Sequence, residues 1–424
     1  MKYMSIISLL LSLLGCSGRG VSNLDPAGFE AESAKPEVAT LDVRTADEYA
    51  AGHLPWASNI DWYAPDFLAQ VEAIYPKSAP LAIYCRSGRR SADAASALSK
   101  AGYTVCNLRG GYMAWCEAGK PTSAYTVETF FTPGGLPVAI TLIKHGTLAL
   151  RFKGLTFHVD PVGGYGKPTD YAAEFPKADV ILVTHEHGDH FDRDAIAALV
   201  GSGGEALAAQ CREVPDGSVP NCEAPDGSAP DCEAPGGAPS CTVGGTVLVT
   251  NARCAELLAQ SSAPIPCTVA VVANGDSLTL PGDVLLQAVP AYNYTEGRTQ
   301  FHPKGRDNGF VLTLDGLRVY IAGDTEDIPE MASLAGAPAA AVGAFGAPAS
   351  TVIASGAPAS TDPPGIDVAF LPVNQPYTMT VEQCVRAAKV IGPRVLIPYH
   401  FSSTDLSELP SLLPGIDVRL RDMQ

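Results

Sequence analysis

Between residues 183 and 192 the chain sets His185, His187, Asp189 and His190 around Gly188, four side chains that can ligate a metal. Imidazole with carboxylate suits zinc or iron better than calcium or magnesium, which favour oxygen ligands. The apolar run at 178–184 reads as a buried strand. Leading into a tight turn, it can aim His185 and His187 at one ion, and Asp189 with His190 at a second. Another reactive stretch stands earlier. Leu81 to Tyr84 reads as a strand, residues 92–100 as a helix, and between them lie Cys85, Arg86, Ser87, Gly88, Arg89 and Arg90. Amide N–H groups and the helix dipole at such a junction favour an anion. With three arginines close by, the thiol is expected to react as a thiolate.

The elements that carry these groups are legible as apolar runs. In the first part, residues 40–44 read as a strand, and Thr45 with Glu48 three residues on makes a capping box for the next helix. From 138 onwards, runs at 138–144, 147–153 and 155–159 read as antiparallel strands of a half-buried sheet. After the metal motif come a helix from about 193 to 200, a strand at 246–250 and a helix at 253–260. Strands are expected at 268–273, 278–280, 284–290, 309–313, 317–322, 366–373 and 394–397, with a helix over 381–391. Residues 201–243 and 335–364 break this pattern. They repeat short Ala-, Pro-, Gly- and Ser-rich units with few core-forming side chains, and read as surface insertions.

At 424 residues the chain has material for two or three domains. A net charge of −17 argues against a nucleic-acid binder, because no basic patch offers to replace phosphate counterions. Beyond the N-terminus no apolar run reaches the length of a membrane span. Residues 1–14 carry Lys2 and a short apolar stretch, and end in Leu13-Leu14-Gly15-Cys16, which resembles a bacterial lipobox. That resemblance implies cleavage before Cys16, a lipid on its thiol and export, with Ser17 pointing to the outer membrane. Of the 11 cysteines, Cys211, Cys222, Cys232 and Cys241 lie in the first insertion. Export permits disulfides among them, in three possible pairings, and their spacing lacks the close pairs of a zinc knuckle.

Residues 29–124 resemble a rhodanese-like sulfurtransferase domain. The matching pieces are Leu41-Asp-Val-Arg44, the run from Glu48 to Pro55, Cys85-x-x-Gly88-x-Arg90, and the run from Leu108 to Trp115. The resemblance implies an α/β fold in which Cys85 accepts a sulfane sulfur as a persulfide, cradled by residues 86–90. His53 belongs to a packing motif there. Residues 125–424, apart from the insertions, resemble the metallo-β-lactamase superfamily, in its branch of lactonase-like and phospholipase D-like hydrolases. An αββα sandwich is implied, holding two divalent ions, Zn2+ first and Mn2+ or Fe2+ as alternatives. Carried over by position, His185 and His187 hold the first ion, Asp189, His190 and His400 the second, and Asp324 bridges them. The third histidine of the first site is open. Asn293 stands where it is expected, and His302 in the next loop is favoured over Asn293 or water. His145 and His158, on or beside strands, are set aside as ligands. Tyr292, Lys304, Arg306 and Tyr399 are candidates for holding an anionic group.

The resulting expectation is an α/β chain with residues 1–16 as signal peptide and lipobox, 17–28 as linker, and the two domains after it. Its expected function is metal-dependent hydrolysis of a small ester, lactone or phosphodiester, by water that two cations bring from a pKa of 15.7 towards about 7, with a sulfurtransferase attached. Its expected partners are a small-molecule substrate and a membrane reached through the lipid on Cys16. Persulfide dioxygenases also join these two folds, with one iron, and give the first alternative. A surface lipoprotein that only binds is the second.

Overall fold

The computed structural model describes residues 21–201, 209–210, 240–241, 245–260, 263–336 and 365–423. The lipobox, the cysteine repeat at 211–232 and most of the second insertion lie outside the described residues. Two compact units divide the chain.

The first unit opens with five strands: β1 (Val21–Leu24), β2 (Ala39–Asp42), β3 (Ser58–Asn59), β4 (Leu81–Tyr84) and β5 (Val105–Leu108). All pair in parallel, in the spatial order β1-β5-β4-β2-β3. Helices α1 (Pro26–Ser33), α2 (Ala46–Ala50), α3 (Phe67–Ile74), α4 (Arg89–Lys100) and α5 (Gly111–Glu117) alternate with them. Strands β2, β4 and β5 are buried at every residue, as parallel strands covered by helices must be. The capping box of Thr45 and Glu48 starts α2 as expected. Helix α4 begins three residues earlier than its apolar pattern suggests, because Gly88 at φ +87° turns the chain straight into it. Strands β6 (Thr126–Phe131) and β7 (Pro137–Lys144) follow as an antiparallel pair.

A two-residue turn at His145 and Gly146 leads to β8 (Thr147–Phe152). In the second unit come β9 (Leu155–Val159), α6 (Tyr171–Glu174), β10 (Val180–Leu182) and α7 (Arg193–Leu199). Short strands β11 (Ala209–Gln210) and β12 (Ser240–Cys241) lie within the first insertion, near its two ends. Then come β13 (Val247–Thr250), α8 (Ala252–Ala259), β14 (Thr268–Val271), β15 (Ser277–Leu280), β16 (Val284–Ala291), β17 (Asp307–Leu314) and β18 (Leu317–Ile321). The chain ends with β19 (Val368–Pro372), α9 (Val381–Ile391), β20 (Val395–Tyr399), α10 (Leu409–Leu412) and β21 (Asp417–Val418).

Strands β9, β10, β13 and β14 lie side by side in parallel. A second sheet has the order β12-β11-β15-β16-β17-β18-β19-β20-β21, antiparallel as far as β18 and parallel from there. Helix α9, with a capping box at Thr380 and Gln383 and Gly392 closing it in the left-handed region, packs its buried face on this sheet. One expectation is corrected. Strand β7 is buried at all eight residues, not half-buried, because its alternate positions are apolar or threonine and both faces are covered. Among the described residues no helix is long and apolar enough to cross a membrane.

Candidate functional site

Every ligating side chain singled out in the second domain sits just beyond a strand end or in a turn between strands. The loop after β10 carries His185 to His190, Asp324 follows β18, His400 follows β20, and His302 lies between β16 and β17. Two clusters result. His185, His187, His302 and Asp324 bring their ligand atoms within 4.8 Å of one another, and so do His145, Asp189, His190 and His400. Asp324 reaches both. Its carboxylate lies 3.3 Å from Nε2 of His302, 3.3 Å from Nε2 of His190, 3.3 Å from Nε2 of His400 and 3.9 Å from Nε2 of His185.

Backbone and hydrogen bonds set the ring orientations. Asp160, one residue past β9, accepts from the Thr184 amide and hydroxyl at 2.7 Å each, and meets Nδ1 of His190 at 2.8 Å. His190 therefore turns Nε2 towards Asp324. His302 is held likewise, Nδ1 at 3.1 Å from Asp307. Arg306 pairs with Glu186 and Asp307, tying the motif loop to β17. Gly323 permits the close approach of the two sheets, since a Cβ there would stand 2.8 Å from the Asn308 carbonyl oxygen and 3.3 Å from Thr184. Asp160→Asn removes a charged acceptor from His190, and metal uptake should weaken about 10–100-fold, as for other outer-shell partners of a ligating histidine. A metal-binding titration checks this, with circular dichroism as the control for folding.

Electrostatics show what the cage asks for. Burial opposes charge on His190, yet Asp324 and Asp160 hold its pKa well above the usual value. His302 is pushed up to about 9, because Asp307 and Asp324 outweigh its burial. Burial also works against the Asp324 carboxylate, but the imidazoles of His400 and His190 keep it well below the usual range. Asp189 is lowered as well, by His145 and His400 against its burial. His185 and His187 are shifted the other way, to neutral imidazole, chiefly by burial. The cage requires buried positive charge, from protons or from metal ions. Nε2 of His190, Nε2 of His400 and Oδ1 of Asp324 are buried without a hydrogen-bond partner. Imidazole nitrogens and a carboxylate oxygen left in that way fit a divalent cation.

His302, favoured over Asn293, lies in the first cluster. Asn293 donates its amide to the Tyr377 carbonyl at 2.6 Å. His145, set aside in the sequence, lies in the second cluster, with Nε2 at 3.1 Å from Asp189 and its ring centroid 3.7 Å from that of His400 at a tilt of 40°. The clue was its place in a two-residue turn between strands, where φ is +47°. His158 stays apart, buried between Tyr171 and Phe175. The anion-holding candidates are engaged elsewhere. Tyr292 and Lys304 bind Glu330, Arg306 is paired as above, and Tyr399 is buried against the Gly323 carbonyl.

In the first unit Cys85 follows β4 and is buried, with the Ser91 hydroxyl 3.3 Å from its sulfur. Arg86, Ser87 and Arg89 are exposed around it. Arg90 turns to Glu48 in a bidentate pair at 2.7 Å, and this pairing holds the Glu48 carboxyl down to about 2. The loop leans on the turn before α5. Amides of Tyr112 and Met113 donate to the carbonyls of Cys85 and Arg86, and a Cβ on Gly111 would stand 2.3 Å from the Cys85 carbonyl oxygen. His53, buried and stacked on Tyr49, contacts the carbonyls of Leu54 and Tyr125.

Comparison with known proteins gives two family matches, a rhodanese-like domain over residues 25–118 and a beta-lactamase superfamily domain over 139–340. Thiosulfate sulfurtransferase 16 of Arabidopsis thaliana is 39% identical over 94 residues, 20% of this chain and 78% of that protein. A UPF0173 metal-dependent hydrolase of Methanosphaera stadtmanae is 25% identical over 252 residues, 59% of this chain and 78% of that one. The crystal structure of a protein assigned as a metal-dependent hydrolase from Parabacteroides distasonis is 38% identical, with 71% of this chain and 100% of that chain covered and a TM-score of 0.49.

Proposed function

This chain belongs to the beta-lactamase superfamily in its second domain and to the rhodanese-like family in its first, and on that premise we propose a dinuclear metallohydrolase joined to a sulfurtransferase. The observation that carries the reading is Asp324, one buried carboxylate within reach of both histidine clusters. His185, His187 and His302 would hold one ion, Asp189, His190 and His400 the other, and Asp324 both. Zn2+ suits this donor set, with Mn2+ or Fe2+ as alternatives. Bound there, the pair would acidify water towards a pKa of about 7 and polarise the carbonyl or phosphoryl oxygen of an ester, lactone or phosphodiester. The chain's own part is orientation. Asp160 and Asp307 fix the tautomers of His190 and His302, so each presents Nε2 to the cage. Asp189, whose side chain is 25% exposed against 3% for Asp324, is the carboxylate a substrate can meet.

In the first domain, the Cys85 thiolate would attack the outer sulfur of a donor such as thiosulfate. An S–S bond forms at Cys85 and sulfite leaves with the electrons of the broken bond. The loop of residues 86–90 would bind the anion. The lipobox-like run ending at Cys16 supports a lipid on that thiol and an exported chain anchored on the periplasmic or surface side of a bacterial membrane, the outer membrane first.

Metal analysis of the protein from Ser17 onwards, with a panel of ester, lactone and phosphodiester substrates, tests the reading. About two zinc or manganese ions per chain and chelator-sensitive turnover are expected. One iron per chain with oxygen uptake on a persulfide would replace it with a dioxygenase. Neither metal nor turnover would leave a binding lipoprotein.

A further inference from the structure

The turn that brings His145 into the second cluster is held from an unexpected place. Its amide donates to the carbonyl oxygen of Met423 at 2.5 Å, and the His145 carbonyl accepts from the His400 amide at 3.1 Å. The His400 carbonyl in turn accepts from Val373 at 3.3 Å. Both histidines sit in the left-handed region, at φ +47° each, which a non-glycine residue occupies only when its surroundings hold it there. The space is tight as well. A Cβ on Gly146 would stand 2.6 Å from Cε1 of His190, so the turn is pressed against the cluster it serves. Met423 is 2% exposed, and an anchored side chain is what can fix a carbonyl on an otherwise short segment. The same segment is tied upstream, where the Arg419 amide donates to the Leu396 carbonyl of β20, the strand that leads into His400.

We infer that residues 419–423 are a strap, and that Met423 is a positioning residue for the second metal site, acting through the His145 turn. This rests on the two-ion reading above. The segment meets the His145 amide directly and reaches His400 through the His145 carbonyl, and both histidines belong to the second cluster. Loosening Met423 should therefore weaken one ion and spare the other.

The test is a Co2+ titration of the full chain, followed by its visible absorption, for wild type, Met423→Leu, Met423→Ala and Met423→Asp. Wild type and Met423→Leu should take up two ions with the same two affinities. Met423→Asp should keep the first and bind the second about 10–100-fold more weakly, the range for a lost orienting partner, with Met423→Ala between. Equal weakening of both ions, or an unchanged second affinity in Met423→Asp and Met423→Ala, would overturn the strap. A wild-type chain that binds a single Co2+ would instead overturn the two-ion reading itself.

Discussion

Asp324→Ala should empty both clusters, leaving less than one ion per chain and cutting hydrolysis by more than about 100-fold, beyond the loss expected for an outer-shell partner. The reason lies in the company this carboxylate keeps. Nε2 atoms of His190, His302 and His400 all lie 3.3 Å from it, and it is buried. Without it, nearby cations would meet only neutral imidazoles and Asp189, and His190 and His302 would lose the partner that favours their charged forms. Conservative change should not rescue the protein. Asp324→Asn keeps the shape but removes the charge that two cations share. Metal content by mass spectrometry and turnover on the best substrate of the panel decide it. Two tightly held ions in Asp324→Ala would show that the clusters work independently and that nothing bridges them.

Cys85→Ser should reduce sulfur transfer from thiosulfate to cyanide to the uncatalysed background, with metal content and hydrolysis unchanged. Serine fits the buried space beside Ser91 and keeps the loop intact. It fails chemically, because its hydroxyl holds its proton far beyond the range where a thiol ionises and forms no S–S bond. The Asp324→Ala chain should transfer sulfur normally, so the two variants form a reciprocal pair. Residual transfer in Cys85→Ser would point to another thiol, with Cys116 on α5 the exposed one among the described residues.

How much of this was legible in the sequence depended on distance along the chain. The loop at 185–190 and the loop at 85–90 could be read because strand, turn and ligands are contiguous. Asp324 and His400 came from a resemblance carried over position by position, since nothing local says that two aspartate- or histidine-bearing strand ends will meet. His302 and Asn293 lie in one short connection, and the fold sets His302 in the first cluster while Asn293 turns to the Tyr377 carbonyl. His145 was passed over for a physical reason. Its neighbours alternate as strand residues do, and only the two-residue turn and the strap at Met423 lift its ring out of the core and onto His400. Arg90 has a second partner that no local pattern announces. Its charge acts on Cys85, and Glu48, 42 residues away, also takes its guanidinium in a bidentate pair. Burial of β7 on both faces was equally hidden, because Thr141 and Lys144 among its apolar residues suggest a partly solvated strand.

The cage is suspended from two sheets, with residues 185–190 beyond β10 on one side and Asp324 and His400 beyond β18 and β20 on the other. A cation seated in it is therefore a rivet through the sandwich. It can form only after strands far apart in the chain have met, so it cannot guide early folding. Once in place it adds its binding energy to the assembled state, roughly 4 kcal/mol at a thousandfold excess over its dissociation constant. Scarcity of metal would then leave the rate of folding alone and shorten the life of the folded chain.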